Sequence, residues 1–191
     1  SIKHPIISVT GSSGAGTSTV KHTFQQIFRR ESVKAATLEG DAFHRYNRVE
    51  MKKELEKRNT NGGATFSHFS FEANLLPELE ECFRNYSEKG KCRYRHYVHN
   101  AKEEELYGAK PGNFTEWQQF DDSSDLLFYE GLHGAVVSEN LNIARYADLK
   151  IGVVPVINLE WIQKIHRDRD SRGYSTEAVT DTILRRMHAY V

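Results

Sequence analysis

Residues 6–19 read IISVTGSSGAGTST. A short, β-branched apolar run ends in a glycine-rich turn, and the turn opens a stretch with helical spacing. The turn is nearly the phosphate-binding loop G-x-x-x-x-G-K-[ST]. Gly11, Gly14, Gly16 and Ser18 are in place, and Thr17 stands where the lysine belongs. Ile6 to Thr10 is expected to be a buried strand. From Thr17 to Arg30 the residues Val20, Phe24, Ile27 and Phe28 recur at one-face helical spacing. Strand, loop and helix follow one another, which is the context this motif requires. Glycines at these places let successive backbone N–H groups turn inward at a helix N-terminus, where an anion is favoured. Ser18 is placed to offer a hydroxyl to Mg²⁺. A tight turn with no ligand is the plainer alternative.

Working outward, VKAATLE (33–39) predicts a second strand broken by Gly40-Asp41. VEMKKELEKR (49–58) predicts an exposed helix and LLPELEECFRNY (75–86) an amphipathic one. Between them TNGGATFSHFSFEAN is a glycine-rich, aromatic loop. CRYRHYV (92–98) is expected to be a strand and YGAKPGNFTEWQQF (107–120) irregular. LLFYEG (126–131) and LKIGVVPV (149–156) have the apolar runs of central parallel strands, and two helices follow at roughly 158–170 and 175–190. Strands alternating with helices predict an α/β domain of three layers around a mostly parallel, mixed sheet. Ligands of such sheets sit at the strands' carboxyl ends. Gly11, Asp41 and Glu130 each come just after or at the end of an apolar run, so they should converge on one edge.

The chain has 191 residues, with 26 Lys plus Arg against 26 Asp plus Glu. That balance argues against nucleic acid as the main ligand and leaves room for a local cationic pocket. Cys82 and Cys92 lack metal or redox spacing and read as two reduced thiols. Neither a signal peptide nor a membrane span is expected, which points to a cytoplasmic protein.

Losing a preorganised cation is costly, since one arginine in phosphoryl transfer is worth about 10³–10⁵ in rate. Replacement charge is available in WIQKIHRDRDSRGYS (161–175). Lys164 and Arg167 share a helix face, and Arg172 follows before a Gly173 hinge. A solvated charged face balanced by Asp168 and Asp170 is the alternative. Asp41, with His44, Arg45 and Arg48 behind it, suits a general base or else a helix N-cap. Glu130 suits the acidic position that helps hold Mg²⁺ or a plain strand end. In a strand His96 and His99 would face opposite sides and not chelate zinc, whereas Tyr97 and His99 would share a face and line a pocket.

GSSGAGTST, EGDAFHR, NFTEW, LLFYEGLHG, VVPVINLEWIQKIHRD and RGYSTEAV, in this order and spacing, resemble the bacterial phosphoribulokinase family; more remotely the chain is similar to uridine and pantothenate kinases. Bacterial phosphoribulokinases also carry Thr at the lysine place. The resemblance implies a single P-loop kinase domain over 1–191 that lacks a C-terminal part of the family fold. It implies transfer of phosphate from ATP to the 1-hydroxyl of D-ribulose 5-phosphate, the Calvin cycle step giving ribulose 1,5-bisphosphate. Asp41 is then the base, Glu130 the second acid near Mg-ATP, and Lys164, Arg167 and Asp168 further catalytic groups. Gly11, Ser12, Ser13, Gly14, Ala15, Gly16, Thr17, Ser18 and Thr19 form the nucleotide loop, with Ser18 and Glu130 serving Mg²⁺. His44, Arg48, Tyr97, His99, Arg172, Arg185 and Arg186 are implied substrate-binding positions. NADH activation, AMP inhibition (with Arg30 a candidate from this side), a homo-oligomer and no thioredoxin control complete the implication. The competing readings are a related kinase for another phosphosugar or a nucleoside, a nucleotide switch, for which no N-K-x-D guanine motif is present, and an inactive fragment.

Overall fold

The computed structural model of the chain describes residues 4–59, 66–120 and 123–187. Strand β1 (Ile6–Gly11) leads through the glycine loop into helix α1 (Thr17–Arg30), and β2 (Ala35–Glu39) ends in a 3₁₀ turn, Gly40–Phe43. Helices α2 (Arg48–Asn59) and α3 (Leu76–Lys89) come next, then the two-residue strand β3 (Arg93–Tyr94), helix α4 (Ala101–Tyr107) and β4 (Gln118–Gln119). Strands β5 (Leu126–Gly131) and β6 (Leu149–Val153) precede α5 (Ile157–Arg172) and α6 (Thr176–Thr182), which runs into a π-helical turn, Ile183–Met187.

The main sheet is parallel, in the order β2-β5-β1-β6, and β3 pairs with β4 as a separate antiparallel ribbon. Strand alternation splits the apolar side chains between two faces. On one face Ile6, Leu38, Leu127 and Tyr129 pack with Leu79, Phe83 and Tyr86 of α3. On the other Val9 and Phe128 pack with Phe24 and Phe28 of α1. A third cluster, Phe69 with Val179 and Ile183, fastens the end of the chain to the 66–74 loop. The three expected layers are therefore present. The register pairs Glu39 with Glu130 and Gly11 with Val153, which brings the strand ends level on the side where the glycine loop emerges.

Four expectations need correction. CRYRHYV forms only the short β3 and, beyond it, an isolated antiparallel bridge between Tyr97 and Phe114. The ladder is interrupted at Arg95, whose guanidinium lies 3.6 Å over the Phe114 ring and 4.6 Å from Trp117. LKIGVVPV is no central strand among the described residues. β6 has β1 on one side only, and Val154 and Val156 are exposed. Ile27 is exposed, so the buried face of α1 is Val20, Phe24 and Phe28. Helix α4 was not foreseen. Residues 60–65 of the glycine-rich loop lie outside the described residues. Cys82 and Cys92, without motif spacing, come within hydrogen-bonding reach of each other in the core as free thiols. Burial, together with Cys92, pushes the Cys82 thiol well above its ordinary range.

The aromatic cluster under α1 gives a direct test. Phe128 is fully buried, with Phe24 and Phe28 at ring distances of 5.3 and 5.6 Å. Phe128→Ala should cost about 3–5 kcal/mol, read as a lower urea midpoint with an unchanged slope.

Candidate active site

Gly14 and Gly16 adopt φ of 100° and 99°, a left-handed backbone that lets the loop curl back on itself. At Gly14 a second constraint acts. A Cβ there would lie 2.9 Å from the Glu160 carbonyl oxygen and 2.9 Å from Lys164 Cβ. Helix α5 thus lies directly against the loop, and side chains tie the two together. Ser12 Oγ donates to Glu160, while Ser13 Oγ accepts from Lys164 Nζ at 3.1 Å and from Arg167 at 2.9 Å. The expected cationic face is therefore turned to the loop and not to solvent. Ser18 is exposed at the first turn of α1.

The threonine in the lysine position has a partner: Thr17 Oγ1 donates to the Glu130 carboxylate, 113 residues away. Burial raises the Glu130 pKa, opposed by the Thr17 bond and by Lys21. Lys21, one turn after Thr17, pairs with Glu39 at 2.6 Å.

Asp41 follows β2 in the 3₁₀ turn and caps no helix with its side chain. His44 Nε2 lies 3.2 Å from one carboxylate oxygen and His99 Nε2 lies 3.0 Å from the other. About 41% of the Asp41 side chain remains accessible, so it is open to an incoming group. Enclosure raises its pKa, but the His44 charge and the bonds from His44 and His99 outweigh this and hold the carboxyl well below the usual range. Tyr97 and His99 do meet, with ring centres 4.9 Å apart, although they lie beyond β3, with Tyr97 in an isolated bridge to Phe114. His96 stacks instead on Tyr107.

Asp168 is the hub of the cationic side. Lys164 Nζ is 2.8 Å from it, Arg167 2.8 Å and Arg172 3.5 Å. Burial alone would raise the Asp168 pKa; the three cations lower it on balance. Burial pushes the Lys164 ammonium down, against the pull of Asp168.

These groups line one cleft of about 820 Å³ at the carboxyl ends of the strands, shared by the loop, Asp41, His44, Arg48, Tyr97, His99, Glu130, Lys164, Arg167, Asp168 and Arg172. Arg45 turns away onto the Glu72 and Asn74 carbonyls. Arg30 pairs with Glu31 on an exposed stretch. Arg185 is highly exposed and pairs with Asp181, which lines the cleft at its edge, while Arg185 itself is not part of the lining; the Arg186 side chain lies outside the described residues. The sequence reading missed Lys21, Glu39, Asn74 and Glu160. Only Lys21 had a signal, its i+4 spacing from Thr17.

Among the described residues no three His, Cys, Asp or Glu side chains gather as a metal cage. A magnesium ion carried on nucleotide phosphates asks for only one or two protein oxygens. Ser18 and Glu130 both line the cleft and are of the right oxygen type. No helix of the described residues is long and apolar enough to cross a membrane.

A parallel sheet with a phosphate-type loop at its carboxyl edge, facing a carboxylate across a cationic cleft, defines a P-loop kinase fold. The model of the "Phosphoribulokinase / Uridine kinase family" matches residues 6–191, and the chain belongs to that family. It is 72% identical over 189 residues to phosphoribulokinase 1 of Cereibacter sphaeroides, covering 99% of this chain and 65% of that protein. It is 67% identical to the phosphoribulokinase of Nitrobacter vulgaris over 99% of this chain and 65% of that one. The solved phosphoribulokinase from Rhodobacter spheroides superposes with a TM-score of 0.83 at 69% identity, over 100% of this chain and 65% of that one. The chain thus spans about 65% of the length of these relatives.

Because Asp168 is held below its ordinary range, its contribution to stability is complete above the unfolded carboxylate pKa, about 3.9. It is lost as pH falls through the lower folded value. Asp168→Asn, which strands three cations, should cost about 3 kcal/mol at neutral pH. Urea titrations at descending pH should show the gap to the parent chain closing below about pH 4.

Proposed function

We propose that this chain carries the active site of a phosphoribulokinase, moving the γ-phosphoryl group of ATP to the 1-hydroxyl of D-ribulose 5-phosphate. The observation that carries the reading is that Asp41 opens onto the same cleft as the glycine loop and the Lys164–Arg167 pair bonded to that loop. The transfer needs a proton acceptor at the attacking hydroxyl, positive charge around the travelling phosphoryl group and a cradle for the nucleotide.

In this reading the loop from Gly11 to Thr19 wraps the nucleotide phosphates, and Lys164 with Arg167 supplies the charge that a loop lysine would give. Ser18 and Glu130 would hold the magnesium ion, which when bound neutralises the phosphate oxygens. Thr17 orients Glu130 for that task. Asp41 accepts the proton of the sugar hydroxyl, so that the new O–P bond forms as the bond to ADP breaks. Arg48 and Arg172 hold the sugar phosphate by forked hydrogen bonds, with Tyr97 and His99 on the wall. A cytoplasmic location, a homo-oligomer and control by NADH and AMP go with the reading.

The test is ADP release from Mg-ATP with and without ribulose 5-phosphate, on this chain and on Asp41→Asn. Sugar-dependent release that falls by about 10²–10⁴ in the variant is the expected result. Release stimulated equally by an unphosphorylated pentulose would sink the sugar assignment, because Arg48 and Arg172 demand a phosphate on the acceptor.

A further inference from the structure

Asn74 lies behind the cleft and is almost fully buried. Two backbone bonds, Arg45 N–H to the Ala73 carbonyl at 2.8 Å and Leu75 N–H to the Phe43 carbonyl at 2.7 Å, set it opposite His44. Its amide nitrogen donates to the His68 carbonyl at 2.9 Å and to the Ser70 carbonyl at 2.7 Å. An amide oxygen cannot replace that nitrogen, since two carbonyl oxygens only accept. The amide orientation is therefore fixed by its partners. Asn74 Oδ1 consequently faces His44 Nδ1 at 2.8 Å, and Nδ1 must carry a proton to make that bond. The other ring nitrogen, Nε2, faces Asp41 at 3.2 Å. Imidazole is the stronger base of the two, by reference values of about 6.5 against 3.9, so the proton between them belongs to Nε2. His99 differs: a single proton on its Nε2 suffices for its contact with Asp41.

We infer that Asn74 is a positioning residue that holds His44 as a doubly protonated imidazolium and, through it, keeps Asp41 ionised and aimed into the cleft. In its catalytic consequence this rests on the function proposed above. The surroundings agree. Burial disfavours charge on His44, but Asp41 and then Asn74 favour it, and the balance is upward. Arg95, which donates to the His44 carbonyl at 2.7 Å, opposes the charge. The His68 and Tyr97 rings each lie 5.9 Å away. Burial takes His68 down to about 3 and His133 down to about 4, so neither competes for the positive charge. His99 reaches the group through Asp41 and, ring to ring, through Tyr97.

Side-chain nitrogen NMR of histidines in the unaltered chain, followed across the range where histidine titrates, tests this without any variant. His44 should show both ring nitrogens protonated at neutral pH and lose a proton only above the ordinary histidine midpoint. A single ring proton at neutral pH, or a midpoint at or below the ordinary one, overturns the inference. Asn74→Leu should then lower the His44 midpoint and move the alkaline limb of kcat/KM to lower pH, with a loss of roughly tenfold to a hundredfold at neutral pH. Asn74→Asp keeps an acceptor for His44 but sets an oxygen against the His68 and Ser70 carbonyls, so it should lose stability while holding the His44 midpoint at or above that of the parent. If both variants lose activity alike with the His44 midpoint unmoved, Asn74 only scaffolds its loop and the inference fails. The ring is read without sugar or nucleotide, so an imidazolium at His44 in a chain that releases no ADP supports the charge assignment and sinks the functional reading instead.

Discussion

Helix α5 is locked to the glycine loop, and the rest of the cleft depends on that lock. The loop alone has backbone N–H groups and a helix N-terminus but no side-chain cation of its own. Its charge arrives from 151 and 154 residues further along the chain, through Lys164 and Arg167 on Ser13. Two like charges so close would repel if Asp168 did not lie between them, deeply buried and bonded to both. Gly14 makes the approach sterically feasible, because any side chain there would meet the α5 backbone. One ion cluster therefore does two things: it holds a helix against the loop and delivers charge to it.

This arrangement answers the anomaly at Thr17. With the cation supplied from α5, the loop position is released for another task, and the threonine hydroxyl bonds Glu130 at the end of β5. Lys21, a turn further on, reaches Glu39 at the end of the neighbouring strand β2. Three carboxylates, Glu39 and Asp41 at the end of β2 and Glu130 at the end of the adjacent β5, thus gather here, each held by a different donor. Their mutual repulsion is met locally, by Lys21, by the two histidines and by Thr17, and each acid keeps its own direction.

Much of this was legible in the sequence where local chemistry decides structure. The β-branched run before Gly11, the helical spacing after Thr17 and the apolar run before Glu130 specify strand, helix and strand with little help from elsewhere. Placement of Asp41 and Glu130 at one edge follows from parallel topology. Legibility ended where a long-range partner decides. Arg95 finds Phe114 and Trp117 where the β3–β4 ladder stops, and beyond it the pairing resumes only as the isolated Tyr97–Phe114 bridge. Helix α4 buries none of its residues, and its local marks are the Asn100 cap, the acidic Glu103 and Glu104 of its first turn and the left-handed Gly108. Glu160 and Asn74 look like ordinary polar residues until Ser12 and His44 are brought to them by the fold.

A carboxylate held well below its ordinary range is a poor thermodynamic base, which sits awkwardly with the role proposed for Asp41. The difficulty eases once the timing of proton transfer is considered. In a loose phosphoryl transfer the attacking oxygen gains little bond order before the leaving group has largely departed. Little charge develops on the hydroxyl early, and a strong base would gain nothing by pulling its proton then. After the new O–P bond begins to form, the same proton becomes strongly acidic, and even a weak carboxylate can accept it. Such a mechanism asks that the acceptor be ionised at all times and fixed in direction, and His44 and His99, one on each oxygen, meet both requirements. The positive charge of His44 then has a second consequence. It lies 3.2 Å from one Asp41 oxygen, so in the proposed reaction neutralising Asp41 weakens the ion pair and favours return of that proton to solvent once product has left.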